Sequence, residues 1–266
     1  MNNIDKQYKK IKNANRLGLM THVVVGYPSI KDTRILVKMM VEEGVDYIEL
    51  QIPFSDPLGD GAVIREANTH AIANGARVRD AFQLVKTLRK KDDIKIPLLF
   101  MTYLNIVFTY GFEKFCSLAE KVGVDGLIIL DYNMLHEEQD HLNKIAKKYN
   151  LILIRFISLD SNEKRMKILA KGANGPQGFI YCFSTQGITG VRQKLNLYLN
   201  KHLTHVRKFF KQPLAVGFGI SKREHIKSLK GYADIIIVGS ALIEAFKKDG
   251  LDRVRIKIKE LVRACK

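Results

Sequence analysis

The sequence predicts a TIM (β/α)8 barrel with an extra N-terminal helix, and three observations carry that prediction. Eight short β-rich runs recur along the chain. Stretches with helical periodicity separate them. The repeats run roughly 20–35 residues each, apart from one longer interval after the second run, which suits βα units joined in parallel. Eight such units over about 250 residues fit the arithmetic of the closed barrel. An open doubly wound sheet also alternates strands and helices, but no Gly-rich turn of the dinucleotide-binding kind follows the first run.

The polar segment from Asn3 to Asn15 predicts the extra helix, placed over the bottom of the barrel. The first strand is "LMTHVVV" (Leu19–Val25), and "IKDTRILVKMMVEEG" after it carries helical periodicity. The second strand is "YIELQI" (Tyr47–Ile52), which breaks at Pro53 into a loop. Strands three and four are Pro97–Thr102 and Gly126–Leu130, and "HEEQDHLNKIAKKY" is the helix leading to strand five, Leu151–Phe156. Strands six to eight are Gly178–Phe183, Pro213–Gly217 and Ala233–Val238. No linker rich in Gly, Pro or Ser and no low-complexity tract interrupts the series, so residues 1–266 are expected to form one domain.

Composition narrows the function. The hydrophobic content of 46% supports a substantial core. No apolar run approaches the roughly 20 residues of a membrane span, and the polar N-terminus lacks a secretory core. Three widely separated cysteines (Cys116, Cys182, Cys265) show neither a disulfide framework nor metal-site spacing, so the expectation is a cytoplasmic protein without a metal. The formal charge of +17 is compatible with a nucleic-acid surface, a phosphorylated substrate, an acidic partner, or a lysine-rich surface alone. No zinc-finger or RRM signature accompanies the basic tracts and there is no tryptophan, which argues against nucleic acid.

Two sets of residues carry chemistry. Strand residues alternate faces, so Ile48, Leu50 and Ile52 share the face under the helices while Tyr47, Glu49 and Gln51 point into the barrel. Glu49 then lies near the C-terminal mouth, where active sites of this fold sit. A buried carboxylate is paired or catalytic, or it is held for structural reasons by a barrel Tyr or a backbone amide. Asp60 follows on the loop after the same strand, which can fold back over the mouth; "GDG" is also ordinary turn chemistry. The second set is three Gly-rich turns at successive strand ends: "STQGITG" (Ser184 to Gly190), "GFGIS" (Gly217 to Ser221) and "GSA" (Gly239 to Ala241), the last opening a helix. Such turns bring backbone N–H groups close to an anion, and loops after strands seven and eight form the usual phosphate site of this barrel. The substrate expected is a phosphate ester.

These motifs resemble the tryptophan synthase alpha chain family. "ELQIPFSDPLGDG" carries the resemblance most strongly, followed in order by "VGYPS", "TYLN", "GVDGLIILD", "IYCFSTQGITG", "GFGIS" and "VGSA", from about Leu17 to Phe246. The resemblance implies retro-aldol cleavage of indole-3-glycerol phosphate to indole and glyceraldehyde 3-phosphate. It implies Glu49 as the proton-transferring acid/base and Asp60 as the carboxylate at the indole nitrogen. Tyr181 and Thr189 would lie by the substrate, and Gly190, Gly219, Gly239 and Ser240 would hold its phosphate. It also implies a beta chain in an α2β2 heterotetramer, with pyridoxal phosphate in that partner and no cofactor in this chain. Asp56, Pro57 and Asn105 would face the partner. The sequence departs from the family at Gln51 (usually Gly), His22 (often Phe), Ala62 and Asn133 (usually Pro) and Thr185 (often Arg). Gln51 and His22 are therefore expected to reshape the indole end of the pocket. A regulatory subunit that activates a beta chain while cleaving little, and a stand-alone indole-releasing lyase, remain open beside the first reading.

Overall fold

The computed structural model describes residues 1–132, 137–171, 177–183, 192–217 and 219–266, with backbone alone at 137–140, 171 and 192–197. Its strands are β1 (Gly18–Val24), β2 (Tyr47–Gln51), β3 (Leu98–Thr102), β4 (Gly126–Ile129), β5 (Ile152–Leu153), β6 (Arg155–Ile157), β7 (Ile180–Phe183), β8 (Leu214–Gly217) and β9 (Ile235–Val238). They are parallel and run in the order β5-β4-β3-β2-β1-β9-β8-β7-β6. The predicted fifth strand is therefore two short strands meeting at Ile154. β5 pairs with β4, and β6 pairs with β7. Strands of a barrel tilt and stagger, so the two neighbours of this stretch meet it at different heights. One broken strand thus joins both ends of the sheet.

The helices follow the strands: α1 (Asn3–Asn13) before the barrel, α2 (Ile30–Glu42), α3 (Ala62–Ala73), α4 (Val78–Lys90), α5 (Leu104–Tyr110), α6 (Phe112–Val122), α7 (Glu137–Lys148), α8 (Glu163–Lys171), α9 (Arg192–Arg207), α10 (Arg223–Leu229) and α11 (Ser240–Cys265). The long interval after the second strand is explained by two helices, α3 and α4, in one crossover. Ile48, Leu50 and Ile52 pack with Val37 and Met40 of α2 and Val85 of α4 in the layer between sheet and helices. Tyr47 belongs instead to the barrel interior, with Met20, Leu99, Met101, Ile128, Tyr181 and Ala215. The alternation read from the sequence is the alternation of the fold.

The bottom is closed by α1. Asn2 caps it by accepting from the Asp5 N–H at 2.9 Å, and Ile4 and Ile11, seven residues apart on one face, are buried in the interior cluster. Burying two such side chains stabilises by roughly 1.5–3 kcal/mol each. Glycine makes the fit possible, because a Cβ on Gly126 would lie 2.8 Å from the Ile152 carbonyl oxygen and 3.1 Å from Ile4 Cδ1.

A repeated device holds the strand entrances. Asp46, just before β2, accepts from the Leu19 N–H of β1 at 2.9 Å. Asp125, before β4, accepts from Leu98 of β3 at 2.9 Å, and Asp234, before β9, accepts from Leu214 of β8 at 2.8 Å. Each carboxylate is paired to an arginine: Asp46 to Arg16, Asp125 to Arg89, Asp234 to Arg207.

Candidate active site at the barrel mouth

β1 and β2 place His22 and Glu49 side by side in register. Both are buried, Glu49 at 1% exposure and His22 at 3%. His22 Nδ1 stands 3.3 Å from Glu49 Oε2, an ion contact that lacks hydrogen-bond alignment, since neither Glu49 oxygen has a hydrogen-bond partner. Burial pulls the His22 imidazole pKa down, but Glu49, then Asp60 and Gln51, outweigh it and leave it above the ordinary histidine value.

Asp60 reaches the same place by another route. The loop after β2 folds back and buries the carboxylate at 3% exposure. Asp60 Oδ2 accepts from Gln51 Nε2 at 2.6 Å and from the Tyr103 hydroxyl at 3.1 Å. Tyr103 precedes α5; its oxygen also accepts from the Gly59 N–H at 3.1 Å, and its ring stacks on Phe54 with centroids 5.0 Å apart. Burial raises the Asp60 pKa above the ordinary carboxylate value, and His22, Gln51 and Tyr103 offset part of that. Gln51 shares the barrel face with Glu49, yet its amide bonds Asp60, because the returning loop places that carboxylate within reach.

Tyr181 of β7 faces this pair across the barrel. Burial raises its hydroxyl pKa well above the ordinary value, with the Glu49 and Asp60 charges adding to the effect. A Cβ on Gly217 would lie 2.6 Å from the Tyr181 hydroxyl, so glycine at the end of β8 makes room for it. Gly239 and Ser240 sit at the start of α11, whose first N–H groups have no acceptor within the helix. Gly219 has φ +77°, a left-handed conformation suited to glycine, with open space where a Cβ would be. Thr189 and Gly190, with Asn133 and Thr185, lie outside the described residues.

The expected partner-facing residues divide. Asp56 and Asn105 are exposed, whereas Pro57 is buried. The sequence reading missed Tyr103 as the residue that fixes Asp60, although "TYLN" was its visible signal. It also missed Leu58 and Phe108, which expose 90% and 69% of their surface. A separate cleft of about 620 Å³ opens at the opposite end of the barrel, lined by Lys6, Lys10 and Lys95 among others. That end is remote from the carboxylates, and its exposed lysines do not bear on their chemistry.

Among the described residues, five buried polar atoms at the mouth have no hydrogen-bond partner: His22 Nε2, both Glu49 oxygens, Gln51 Oε1 and Asp60 Oδ1. A buried polar atom left without any partner costs about 1–3 kcal/mol, so a group of them points to a place where a bound molecule supplies the partners. Their concentration beside a Gly-lined helix start defines a barrel equipped for acid/base chemistry at its C-terminal mouth.

The tryptophan synthase alpha chain family model matches residues 8–266. The tryptophan synthase alpha chain of Thermoanaerobacter sp. strain X514 is 40% identical over 248 residues, covering 93% of this chain and 92% of its own. That of Caldanaerobacter subterraneus subsp. tengcongensis is 38% identical, covering 98% and 97%. The alpha subunit structure from Legionella pneumophila str. Paris superposes with a TM-score of 0.88 at 31% identity over 100% of this chain and 98% of its own. A Mycobacterium tuberculosis tryptophan synthase structure gives 0.89 at 29% identity over 99% and 98%. The chain belongs to the tryptophan synthase alpha chain family.

Proposed function

We propose that this protein cleaves indole-3-glycerol phosphate to indole and glyceraldehyde 3-phosphate in tryptophan biosynthesis. The observation that carries the reading is the set of unpartnered polar atoms on Glu49 and Asp60, buried together at the mouth. Glu49 delivers a proton to the indole ring carbon C3 and takes one from the adjacent glycerol hydroxyl. The carbon–carbon bond breaks, its electron pair returns to the protonated ring, and the hydroxyl carbon becomes the aldehyde. Asp60 accepts the ring N–H and stabilises the positive charge that ring protonation creates there. Tyr181 and Thr189 pack against the substrate. Gly219, Gly239 and Ser240, with Gly190, supply donors to the phosphate.

The chain acts with a beta chain that carries pyridoxal phosphate, as an α2β2 heterotetramer, and contains no cofactor itself. Asp56, Asn105 and the exposed Leu58 and Phe108 form the docking face, with Pro57 stiffening it. The proposed place of work is the cytoplasm, where a reducing environment suits three free, buried cysteines; no described helix is long and apolar enough to cross a membrane.

Indole release from indole-3-glycerol phosphate, by the isolated chain and with a beta chain added, tests the reading. Glu49→Gln keeps the shape but cannot shuttle protons, so activity is expected to fall about 100- to 10,000-fold in a folded protein. Near wild-type turnover would make Glu49 structural. Absence of cleavage by the wild type in both assays would leave a regulatory subunit.

A further inference from the structure

β1 lies between β2 and β9, so His22 has Glu49 on one side and the turn after β9 on the other. On the Glu49 side, Nδ1 is 3.3 Å from Oε2. On the other side, a Cβ placed on Gly239 would lie 3.2 Å from His22 Cβ and 3.3 Å from Cγ and Cδ2. The imidazole edge thus rests against the backbone that opens α11. Nε2, bonded to that Cδ2, is buried and has no hydrogen-bond partner. A phenylalanine would fill the same space and leave no polar atom unsatisfied.

We propose that His22 is a positioning residue that bridges the two halves of the site, facing Glu49 through the ion contact at Nδ1 and donating from Nε2 to a phosphate oxygen of the substrate. The inference rests on the phosphate site proposed above. Both partners of the bridge are oxygen acceptors, and only the imidazolium donates from both nitrogens. The two-sided bridge therefore requires the imidazolium, although a neutral ring could still serve one side and the other donors would still hold the phosphate more weakly. Glu49 and Asp60 are the charged groups that face the ring from β2 and its loop. Gln51 is neutral, Gly239 has no side chain, and Ser240 offers a hydroxyl. Tyr181 from β7 and Tyr103 ahead of α5 face the same carboxylates, with hydroxyls that burial holds protonated across the neutral range. The carboxylates favour the imidazolium, and a phosphate dianion would favour it further. The bridge forms below the His22 titration and is lost as pH rises through it.

Calorimetric titration of the full chain with glycerol 3-phosphate, from about pH 7 upward through the His22 titration as its own imidazole NMR signals locate it, tests this. The ligand stays dianionic throughout, its second pKa being about 6. Wild-type affinity is expected to fall about tenfold or more across the range, as expected for loss of one charge-assisted hydrogen bond. His22→Phe and His22→Gln should bind more weakly at pH 7 and show no such fall. If neither variant folds, the imidazole NMR signals of wild-type His22 decide, because their titration must move to higher pH when the ligand binds. A flat wild-type profile, a fall that persists in the variants, or an imidazole titration indifferent to ligand would overturn the bridge. In those cases cleavage that depends on Glu49 would still support the lyase. Failure of glycerol 3-phosphate to bind at any pH would remove the phosphate site and the bridge with it.

Discussion

Asp60 Oδ2 accepts from two donors at once, Gln51 Nε2 and the Tyr103 hydroxyl, and both bonds favour the ionised carboxylate against a burial that opposes it. The ionised form is the one that can accept an indole N–H. Removing either donor raises the Asp60 pKa further, so the acid limb of kcat/KM moves to higher pH in Tyr103→Phe and in Gln51→Gly. Because the two donors share one oxygen, their effects should be non-additive in a double-mutant cycle of pH–rate profiles. Limbs that stay in place in all three variants would show that another group governs the acid side. Only part of this was legible in the sequence. Glu49 and Gln51 share the barrel face by the strict period of two in a strand. The bond from Tyr103 joins positions 43 residues apart, and no local pattern announces such a contact. The direction of the Gln51 amide likewise depended on how the loop returned.

The elements were legible where periodicity was strong and obscure where pairing decided. Each predicted strand is present within a few residues, but the break at Ile154 follows from which neighbour each half pairs with, and that is set by stagger across the closed ring. The Asp–Arg locks at the strand entrances were written in the chain as "VDY", "VDG" and "ADI", yet an acid before a strand reads as loop chemistry until its arginine is in place. Asp125 shows how much such a lock carries. Burial raises the Asp125 pKa and lowers that of Arg89, so desolvation opposes both charges and their mutual contact answers it. Asp125→Ala leaves Arg89 buried without its counter-ion and the Leu98 N–H without its acceptor. Arg89 keeps hydrogen bonds to the carbonyls of Gly123, Ile94 and Ile96. The expected cost is therefore at the low end for a broken buried pair, about 3 kcal/mol. Urea unfolding measures it, and Asp125→Asn, which keeps an acceptor for Leu98, should lose less. A cost near zero for the alanine variant would mean the entrance is held by the arginine and backbone alone.

At the scale of the whole molecule two features compete to explain association: a formal charge of +17 and two apolar side chains exposed at the active-site end. The ion pairs of the basic surface are mostly exposed, and such pairs contribute about 0–1 kcal/mol each. Leu58 and Phe108 lie on neighbouring connections, the loop after β2 and α5 after β3, tied together by the Gly59–Tyr103 hydrogen bond and the stacking of Phe54 on Tyr103. A partner seated on them would therefore press on the same loop that holds Asp60. Apolar burial is insensitive to ionic strength, whereas attraction between exposed charges is screened within about 10 Å at 0.1 M salt. Binding of the beta chain is thus expected to change little between low and moderate salt. Leu58→Ser with Phe108→Ser should weaken it tenfold or more, about 1.4 kcal/mol. Both side chains are exposed in the isolated chain, so its thermal midpoint and its own rate of indole release should stay as they are. A complex that dissociates on adding salt while tolerating the serine pair would assign docking to the charge and free this face of that role.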